Sequence, residues 1–186
     1  MAEPAKRKAA YEDLYSVPEN MTGEIIDGEL IVTPRPSRKH VATSSALGAE
    51  LIPFYWFGRG GGPGGWIILI EPEIRFGENI LVPDLAGWKK ERFPTEEPYN
   101  WISAAPDWAC EVLSPGTIRK DRVKKMGIYA KHEVPHFWLI DPGARSLEVF
   151  QWESGRWVLL GVCVEDDKVR AEPFQAMEFD LASLWL

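Results

Sequence analysis

Cysteine and histidine are scarce in this sequence of 186 residues, which contains two cysteines and three histidines. Cys110 and Cys163 each lie in an apolar stretch, outside any Cys-x-x-Cys or Cys/His spacing of the kind that binds zinc. The sequence therefore indicates no zinc site. Two reduced, buried thiols fit this pattern better than a disulfide does.

An excess of positive charge and long apolar runs are also missing. The formal net charge is −7, whereas tight binding to nucleic acid usually needs many lysines and arginines to neutralise phosphates. Basic residues are dense only locally, at Arg35, Arg38 and Lys39 and between residues 119 and 125. The sequence contains no stretch typical of a membrane span, and its start lacks the apolar core of a secretory signal. These features predict a cytoplasmic protein with no membrane partner.

The apolar residues that are present suffice for one folded domain. Hydrophobic residues make up 45% of the chain, and nine tryptophans favour packed structure over disorder. We predict a flexible N-terminus over residues 1–12 and a single domain over residues 13–186.

The first half of the sequence predicts a hairpin, a helix and two long strands. The hairpin turns at Asp27-Gly28, a dipeptide that tolerates the positive φ angles of tight turns. Ser37 can cap the helix that follows. The glycine-rich segment 58–65 is predicted to be a mobile connection, because a phosphate-binding loop would follow a strand and precede a helix. The two long strands are predicted over residues 66–76 and 80–88.

The second half predicts a strand over residues 107–113, a helix over about 117–131 and a strand over 134–141. This order is typical of two parallel strands joined by a right-handed crossover. Aromatic and polar residues then alternate as in an antiparallel meander, and the chain ends in a short helical tail. The elements together predict a mixed α/β fold.

Two acidic residues, Asp84 and Glu111, lie in apolar strands. The period of a strand puts Glu111 and Leu113 on one face and Cys110 and Val112 on the other. A buried, unpaired carboxylate is costly. Two neighbouring carboxylates also repel each other, and a hard cation bound by oxygen ligands is a common remedy.

The crossover helix carries Asp121, Lys125 and Tyr129 at a spacing of four residues, so they share one side. If that side faces the two acids, the ammonium of Lys125 could neutralise charge on a phosphate oxygen or help to activate a water molecule. The simpler interpretation is an Asp-to-Lys salt bridge along the helix, worth about 0.3 kcal/mol.

The series EVLSPGTIRKDRVKKMGIYAKHEVPHFWLIDP, together with the upstream LVPDLAGW and the early EIIDGEL, resembles the Uma-two family of predicted restriction endonucleases in the PD-(D/E)XK superfamily. The matching segments lie between Glu24 and Asp141. The resemblance implies a restriction-endonuclease-like fold, in which helices flank a mixed central β-sheet and catalytic acids lie on adjacent strands. It also implies that a homodimer is common.

By this resemblance, Asp84 and Glu111 bind a metal ion together with the backbone carbonyl of Val112. The usual motif has a lysine two residues after the second acid, where this chain has Leu113. The resemblance therefore implies that the following helix supplies the lysine, as Lys125 or, less favoured, its neighbour Lys124.

Weaker candidates surround this set. Glu29, Glu71 and Glu73 could add a metal ligand, although exposed strand glutamates are the simpler interpretation. His40 could contact phosphate or only cap a helix. Ser114 is not a credible nucleophile, because it lacks a Gly-x-Ser-x-Gly elbow and a histidine partner.

The expected function is that of a Mg²⁺-dependent endonuclease, with Mn²⁺ as a substitute and DNA as the partner. Two alternatives stay open. One is a nuclease fold without catalysis that binds a partner, which the acidic charge and Leu113 favour. The other is a different hydrolase that uses its carboxylate pair as acid and base, as glycosidases do.

Overall fold

The computed structural model describes residues 7–186. The strands are β1 Met21–Ile26, β2 Glu29–Pro34, β3 Trp66–Ile70, β4 Ile74–Phe76, β5 Asn79–Leu81, β6 Leu85–Lys89, β7 Trp108–Val112, β8 His136–Asp141, β9 Ser146–Glu153, β10 Arg156–Val164, β11 Lys168–Val169 and β12 Phe179–Asp180. The α-helices are α1 Arg38–Leu51 and α2 Met126–Lys131. Two π-helical segments, Ile52–Trp56 and Lys120–Lys125, adjoin them, and short 3-10 helices are Tyr11–Ser16, Arg59–Gly61, Lys90–Arg92 and Leu181–Leu184.

A six-stranded sheet forms the centre of the fold, in the order β10-β9-β8-β7-β6-β3. Strands β7 and β8 are parallel, and the other neighbours are antiparallel. The chain between β7 and β8 contains the second π-helical segment and α2, so the predicted strand, helix and strand unit is confirmed. Its first helical residue is Ile118, close to the predicted start near residue 117.

A four-stranded antiparallel sheet lies beside it, in the order β2-β1-β5-β4. The prediction of two long strands over residues 66–76 and 80–88 was wrong, because each splits in two. The halves far from the hairpin turn, β3 and β6, pair in the central sheet. The halves next to the turn, β4 and β5, pair in the smaller sheet. Pro72 and Pro83 lie at the two break points, and proline cannot donate a ladder hydrogen bond. The hairpin therefore bends there, and Asp84 lies at the bend.

The central sheet is covered on both faces. Side chains of β7 alternate between the two cores: Trp108, Cys110 and Val112 face α1, while Ala109 lies in the core that includes Ile128 of α2. This alternation follows from the two-residue period of a strand. The core on the α1 side also contains Leu47, Leu51, Trp138, Ile140, Leu181 and Leu184. The opposite core joins the two sheets through Ile26, Ile74, Phe76, Leu81, Trp88, Phe137 and Leu139.

Several connections differ from the predictions. The glycine-rich segment 58–65 contains a tight turn at Arg59–Gly61, in which Gly60 and Gly61 have positive φ angles. The predicted helical tail begins with the short strand β12 before its 3-10 helix. Residues 1–6 of the predicted flexible N-terminus lie outside the described residues, and the helix Tyr11–Ser16 begins before the predicted domain start at residue 13. Across residues 7–186, no helix has the length and apolar character needed to cross a membrane.

Candidate active site

Lys125 lies in a cavity that is lined by several charged side chains. Its side chain is 1% exposed, and its ammonium nitrogen lies 2.7 Å from Oε1 of Glu111 and 3.0 Å from Oε1 of Glu24. The same nitrogen donates a hydrogen bond to the carbonyl of Val82 at 2.9 Å. A lysine ammonium has three protons, so these three residues can use all of them.

Glu111 is almost completely buried. It follows Cys110 on β7 and faces the crossover helix, where Tyr129 donates a hydrogen bond to its Oε1 at 2.6 Å. Lys125 also donates to its Oε2 at 2.9 Å. Glu111 thus joins the central sheet to two successive turns of the helical segment that follows it.

Asp84 is held at the bend of the hairpin by contacts with two other elements. Its Oδ2 accepts a hydrogen bond from the backbone N–H of Val112 at 2.6 Å, which fixes it beside the end of β7. Its Oδ1 lies 3.1 Å from Nε2 of His40, near the start of α1. The backbone carbonyl of Asp84 also accepts from the N–H of Glu71 across the bend.

The π-helical turn brings a second lysine to the same acids. Lys120 and Lys125 are five residues apart, and π-helical bonds join residues at that spacing. Nζ of Lys120 lies 2.5 Å from Oε2 of Glu24, whose Oε1 also accepts from the N–H of Val82. Glu24 on β1 is therefore clamped between two ammonium groups and one backbone donor.

These residues line a single cavity of about 350 Å³ at the end of β7. The ionisable side chains in its wall are Glu24, Arg35, His40, Glu71, Asp84, Glu111, Lys120, Asp121 and Lys125. Five acids and three lysine or arginine side chains give the wall a formal charge of −2 when His40 is neutral. The cavity therefore favours cations, although it contains the lysines needed to balance part of its own charge.

Burial and charge together set the protonation of the site. Burial raises the pKa of Glu111 well above its usual value, and the favourable effect of Lys125 offsets only part of this change. Burial also raises the pKa of Asp121. For Lys125, burial acts to lower the pKa, but Glu111 and Glu24 outweigh it and the pKa is raised. The ammonium form of Lys125 is therefore favoured, which suits charge stabilisation.

The pKa values of Glu24 and His40 are shifted in opposite directions by their charged partners. Burial acts to raise the pKa of Glu24, but Lys125 and Lys120 lower it overall. Burial acts to lower the pKa of His40, whereas its hydrogen bond with Asp84 raises it overall. Both shifts favour the charged forms of these side chains.

The structure brings most of the predicted residues together. Asp84, Glu111 and Lys125 share the cavity, as do the weaker candidates His40, Glu71 and Asp121, and Tyr129 contacts Glu111. Three predicted residues lie elsewhere. Glu29 is exposed at the start of β2, Glu73 accepts a hydrogen bond from Tyr11, and Lys124 lines a neighbouring pocket that shares Lys120 with the cavity.

Two residues of the site escaped the sequence analysis, Glu24 and Lys120. Glu24 precedes Ile25 and Ile26 in β1, so the argument that singled out Glu111, an acid within an apolar strand, could have found it. Lys120 carried no such signal, because an ordinary α-helix would not align it with Lys125.

The carboxylates in the cavity are suitable ligands for a divalent ion, but they are already engaged in contacts within the protein. Carboxylate oxygens are the preferred ligands of Mg²⁺, and Asp84 and Glu111 supply them beside a cavity of net negative charge. Within residues 7–186, however, no group of three or more histidine, cysteine or acidic side chains is arranged to hold a metal. Each oxygen of Asp84 and Glu111 already contacts a protein donor.

Comparison with known proteins identifies the family of this chain. Residues 9–182 match the model of the Uma2 family, which is described as "Putative restriction endonuclease". The chain belongs to the Uma2 family. The match covers nearly the whole chain, from before the first 3-10 helix to the last one, and it confirms the family that the sequence motifs indicated.

A solved structure supports the same assignment. The Uma2 chain is similar to a crystal structure from Anabaena variabilis ATCC 29413, described as a "putative nuclease belonging to DUF820". The two are 26% identical, with a TM-score of 0.76, over 95% of this chain and 97% of that one. The predicted α/β fold with a mixed central sheet is thus confirmed. No curated protein matches the chain.

Proposed function

We propose that this Uma2 protein is a divalent-metal-dependent endonuclease that hydrolyses phosphodiester bonds of DNA. The observation that carries the proposal is the convergence of Asp84, Glu111 and Lys125 on one cavity. Two carboxylates beside a permanent ammonium suit phosphoryl chemistry, in which negative charge must be held near a reacting phosphate.

Asp84, Glu111 and the backbone carbonyl of Val112 would hold Mg²⁺, or Mn²⁺ in its place. When bound, the metal would polarise the phosphodiester and lower the pKa of a water molecule. The protein itself keeps Asp84 in place through the N–H of Val112 and through His40. Tyr129 and Lys125 hold Glu111 from the helix side.

Lys125 would act as a positive charge near the scissile phosphate, since the acids around it raise its pKa and favour the ammonium form. All three of its protons have acceptors in the protein. Contact with a phosphate oxygen therefore requires Lys125 to give up one of these acceptors. A homodimer would present two such cavities to the two strands of a duplex.

Cleavage assays test the proposal directly. Plasmid DNA, single-stranded DNA and RNA are each incubated with the protein in Mg²⁺, in Mn²⁺ and in chelator. We expect divalent-dependent cleavage of DNA, and Asp84→Asn and Glu111→Gln should each reduce its rate by about 100-fold or more. Glu29→Gln is the matched control, because Glu29 is an exposed strand glutamate outside the cavity. Intact DNA under every metal condition, or full activity of Asp84→Asn, would contradict the proposal.

The identity of the lysine is tested by a pair of neighbouring substitutions. Lys125→Met should abolish most of the cleavage, whereas Lys124→Met should leave it unchanged because the side chain of Lys124 does not line the cavity. Circular dichroism at the assay temperature checks that both variants are folded. Equal losses in the two variants would remove the assignment of Lys125.

A second candidate function, a nuclease fold that only binds a partner, is favoured by one observation. The oxygens of Asp84 and Glu111 and the protons of Lys125 are all satisfied within the protein. Such a network is stable without a metal ion. Thermal unfolding in millimolar Mg²⁺ or Mn²⁺ separates the two functions, because an ion that binds the folded state raises the melting temperature and a purely structural network gives no rise.

A further inference from the structure

Two lysines line the wall of the active-site cavity, and they differ in how many of their protons are already bonded. The side chain of Lys125 is 1% exposed, and it has acceptors for all three of its protons. The side chain of Lys120 is 15% exposed, and among residues 7–186 its ammonium nitrogen hydrogen-bonds a single acceptor, Oε2 of Glu24, at 2.5 Å. Two protons of Lys120 therefore remain for a ligand.

Lys120 lies at the rim of the cavity. Its side chain lines both the cavity and the neighbouring pocket, so it borders two spaces that a ligand could occupy. Arg35 is the third cation of the cavity wall, and it is directed toward other partners. It donates a hydrogen bond to the carbonyl of Glu19 at 2.9 Å and lies 4.0 Å from Glu71. Lys120 is thus the cation whose only partner belongs to the ion-pair network of the site.

Glu24 holds the ammonium group of Lys120 in place relative to the other acids. Glu24 is 1% exposed, and its Oε1 contacts Lys125 and the backbone N–H of Val82. Its Oε2 contacts Lys120. Because Lys125 also contacts Glu111, a continuous chain of ion pairs links Lys120 to the central sheet. A charge that is held in this way loses little conformational freedom when it binds a ligand.

An incoming phosphate needs a cation with unbonded protons, because the cavity wall has a formal charge of −2 when His40 is neutral and opposes the entry of an anion. We propose that Lys120 contacts the phosphate backbone of a bound DNA strand, while Lys125 stays bonded to the buried acids. One proton of Lys120 stays on Glu24 and another is donated to a phosphate oxygen. This inference rests on the nuclease function proposed above and adds a substrate-binding residue to it.

The salt dependence of DNA binding tests this role. Fluorescence anisotropy of a labelled duplex oligonucleotide in Ca²⁺ gives the association constant at a series of salt concentrations, and a gel checks that the DNA stays intact. Each phosphate that a lysine neutralises adds about 0.9 to the magnitude of the slope of log K against log salt. Lys120→Met should therefore reduce that magnitude by about 0.9, and it should weaken binding by about 10-fold or more at about 0.1 M salt.

Two further variants separate a phosphate contact from other effects of the substitution. Lys120→Arg keeps the positive charge and should keep the wild-type slope. Lys168→Met is the matched control, because Lys168 also pairs with an acid, Asp180 at 2.7 Å, but does not line the cavity. It removes the same charge and should leave both affinity and slope unchanged. Circular dichroism checks that each variant is folded, and a loss of folded protein would lower the active fraction without changing the slope.

The outcomes distinguish this contact from the proposed function. A wild-type slope in Lys120→Met, or an equal change in Lys168→Met, would overturn the phosphate contact and leave the nuclease proposal standing. A reduced slope in Lys120→Arg would assign a structural role to Lys120 and would also overturn the contact. A wild-type protein that binds no DNA would contradict the nuclease function itself, and the contact with it. A shallower slope in Lys120→Met alone is the result that supports the proposal.

Discussion

Replacing Lys125 by methionine isolates the energetic role of the buried ammonium. The substitution keeps most of the side-chain volume, but it leaves Glu111 and Glu24 buried without their shared cation. Removing one partner of a buried ion pair typically costs about 3–5 kcal/mol. For a domain of this size, each kcal/mol lowers the melting temperature by about 2–4 °C, so we expect a decrease of roughly 6–20 °C.

The loss should depend on pH in a defined direction. The pKa of Glu111 is raised by burial even with Lys125 present, and it rises further without the ammonium. A carboxyl group whose pKa is higher in the folded than in the unfolded state favours folding at low pH and loses this contribution as pH rises through the folded pKa. Lys125→Met should therefore be less destabilised at about pH 5 than at about pH 8.

Thermal and urea unfolding, followed by circular dichroism at both pH values, measure this effect. Lys124→Met serves as the control, because it removes a neighbouring charge that does not line the cavity and should change stability by less than about 0.5 kcal/mol. A loss in Lys125→Met below about 1 kcal/mol, or one that is the same at both pH values, would refute the ion-pair reasoning.

Three further substitutions test other parts of the fold. Glu24→Gln should cost about 1–2 kcal/mol near neutral pH, and because the pKa of Glu24 is lowered in the fold, its difference from wild type in urea unfolding should vanish as pH falls through that folded pKa. Tyr129→Phe removes the hydrogen bond to Glu111 and should cost about 1–3 kcal/mol in urea unfolding, because a buried acceptor loses its donor; an unchanged midpoint would contradict this. Leu47→Ala, in the core against α1, should lower stability by about 2–5 kcal/mol in the same assay, and a smaller loss would mean that the core refills the space.

The central unit of the fold could be predicted because its signals are local. An apolar strand, a helix and a second apolar strand follow one another between residues 107 and 141, and this order restricts the topology to a crossover. The two-residue period of β7 separated Glu111 from Cys110 and Val112, but it did not say which face meets the helix. The four-residue spacing of Asp121, Lys125 and Tyr129 indicated one side of the helix that could face the acids, and the structure buries all three.

The bent hairpin could not be predicted from periodicity alone. The apolar pattern continues through residues 66–76 and 80–88, which favours two unbroken strands. The structure breaks both at the same level because Pro72 and Pro83 come to lie across from each other. Their alignment depends on the pairing register of the hairpin, a long-range property that neither proline reveals by itself.

The clamp on Glu24 was missed for a related reason. Its partners Lys120, Lys125 and the N–H of Val82 are 58 or more residues away in sequence. A π-helical turn is also needed to align the two lysines, and the sequence pattern of residues 117–131 gives no sign of one.

The ammonium of Lys125 draws together residues 24, 82 and 111, which come from three separated parts of the chain. All the acids of the cavity except Asp121 precede both lysines in sequence. During synthesis, Glu24, Asp84 and Glu111 therefore leave the ribosome before the lysines that stabilise the buried acids. The cavity can close only after the crossover helix has been made, and a truncated chain that ends before residue 120 should keep these acids in water.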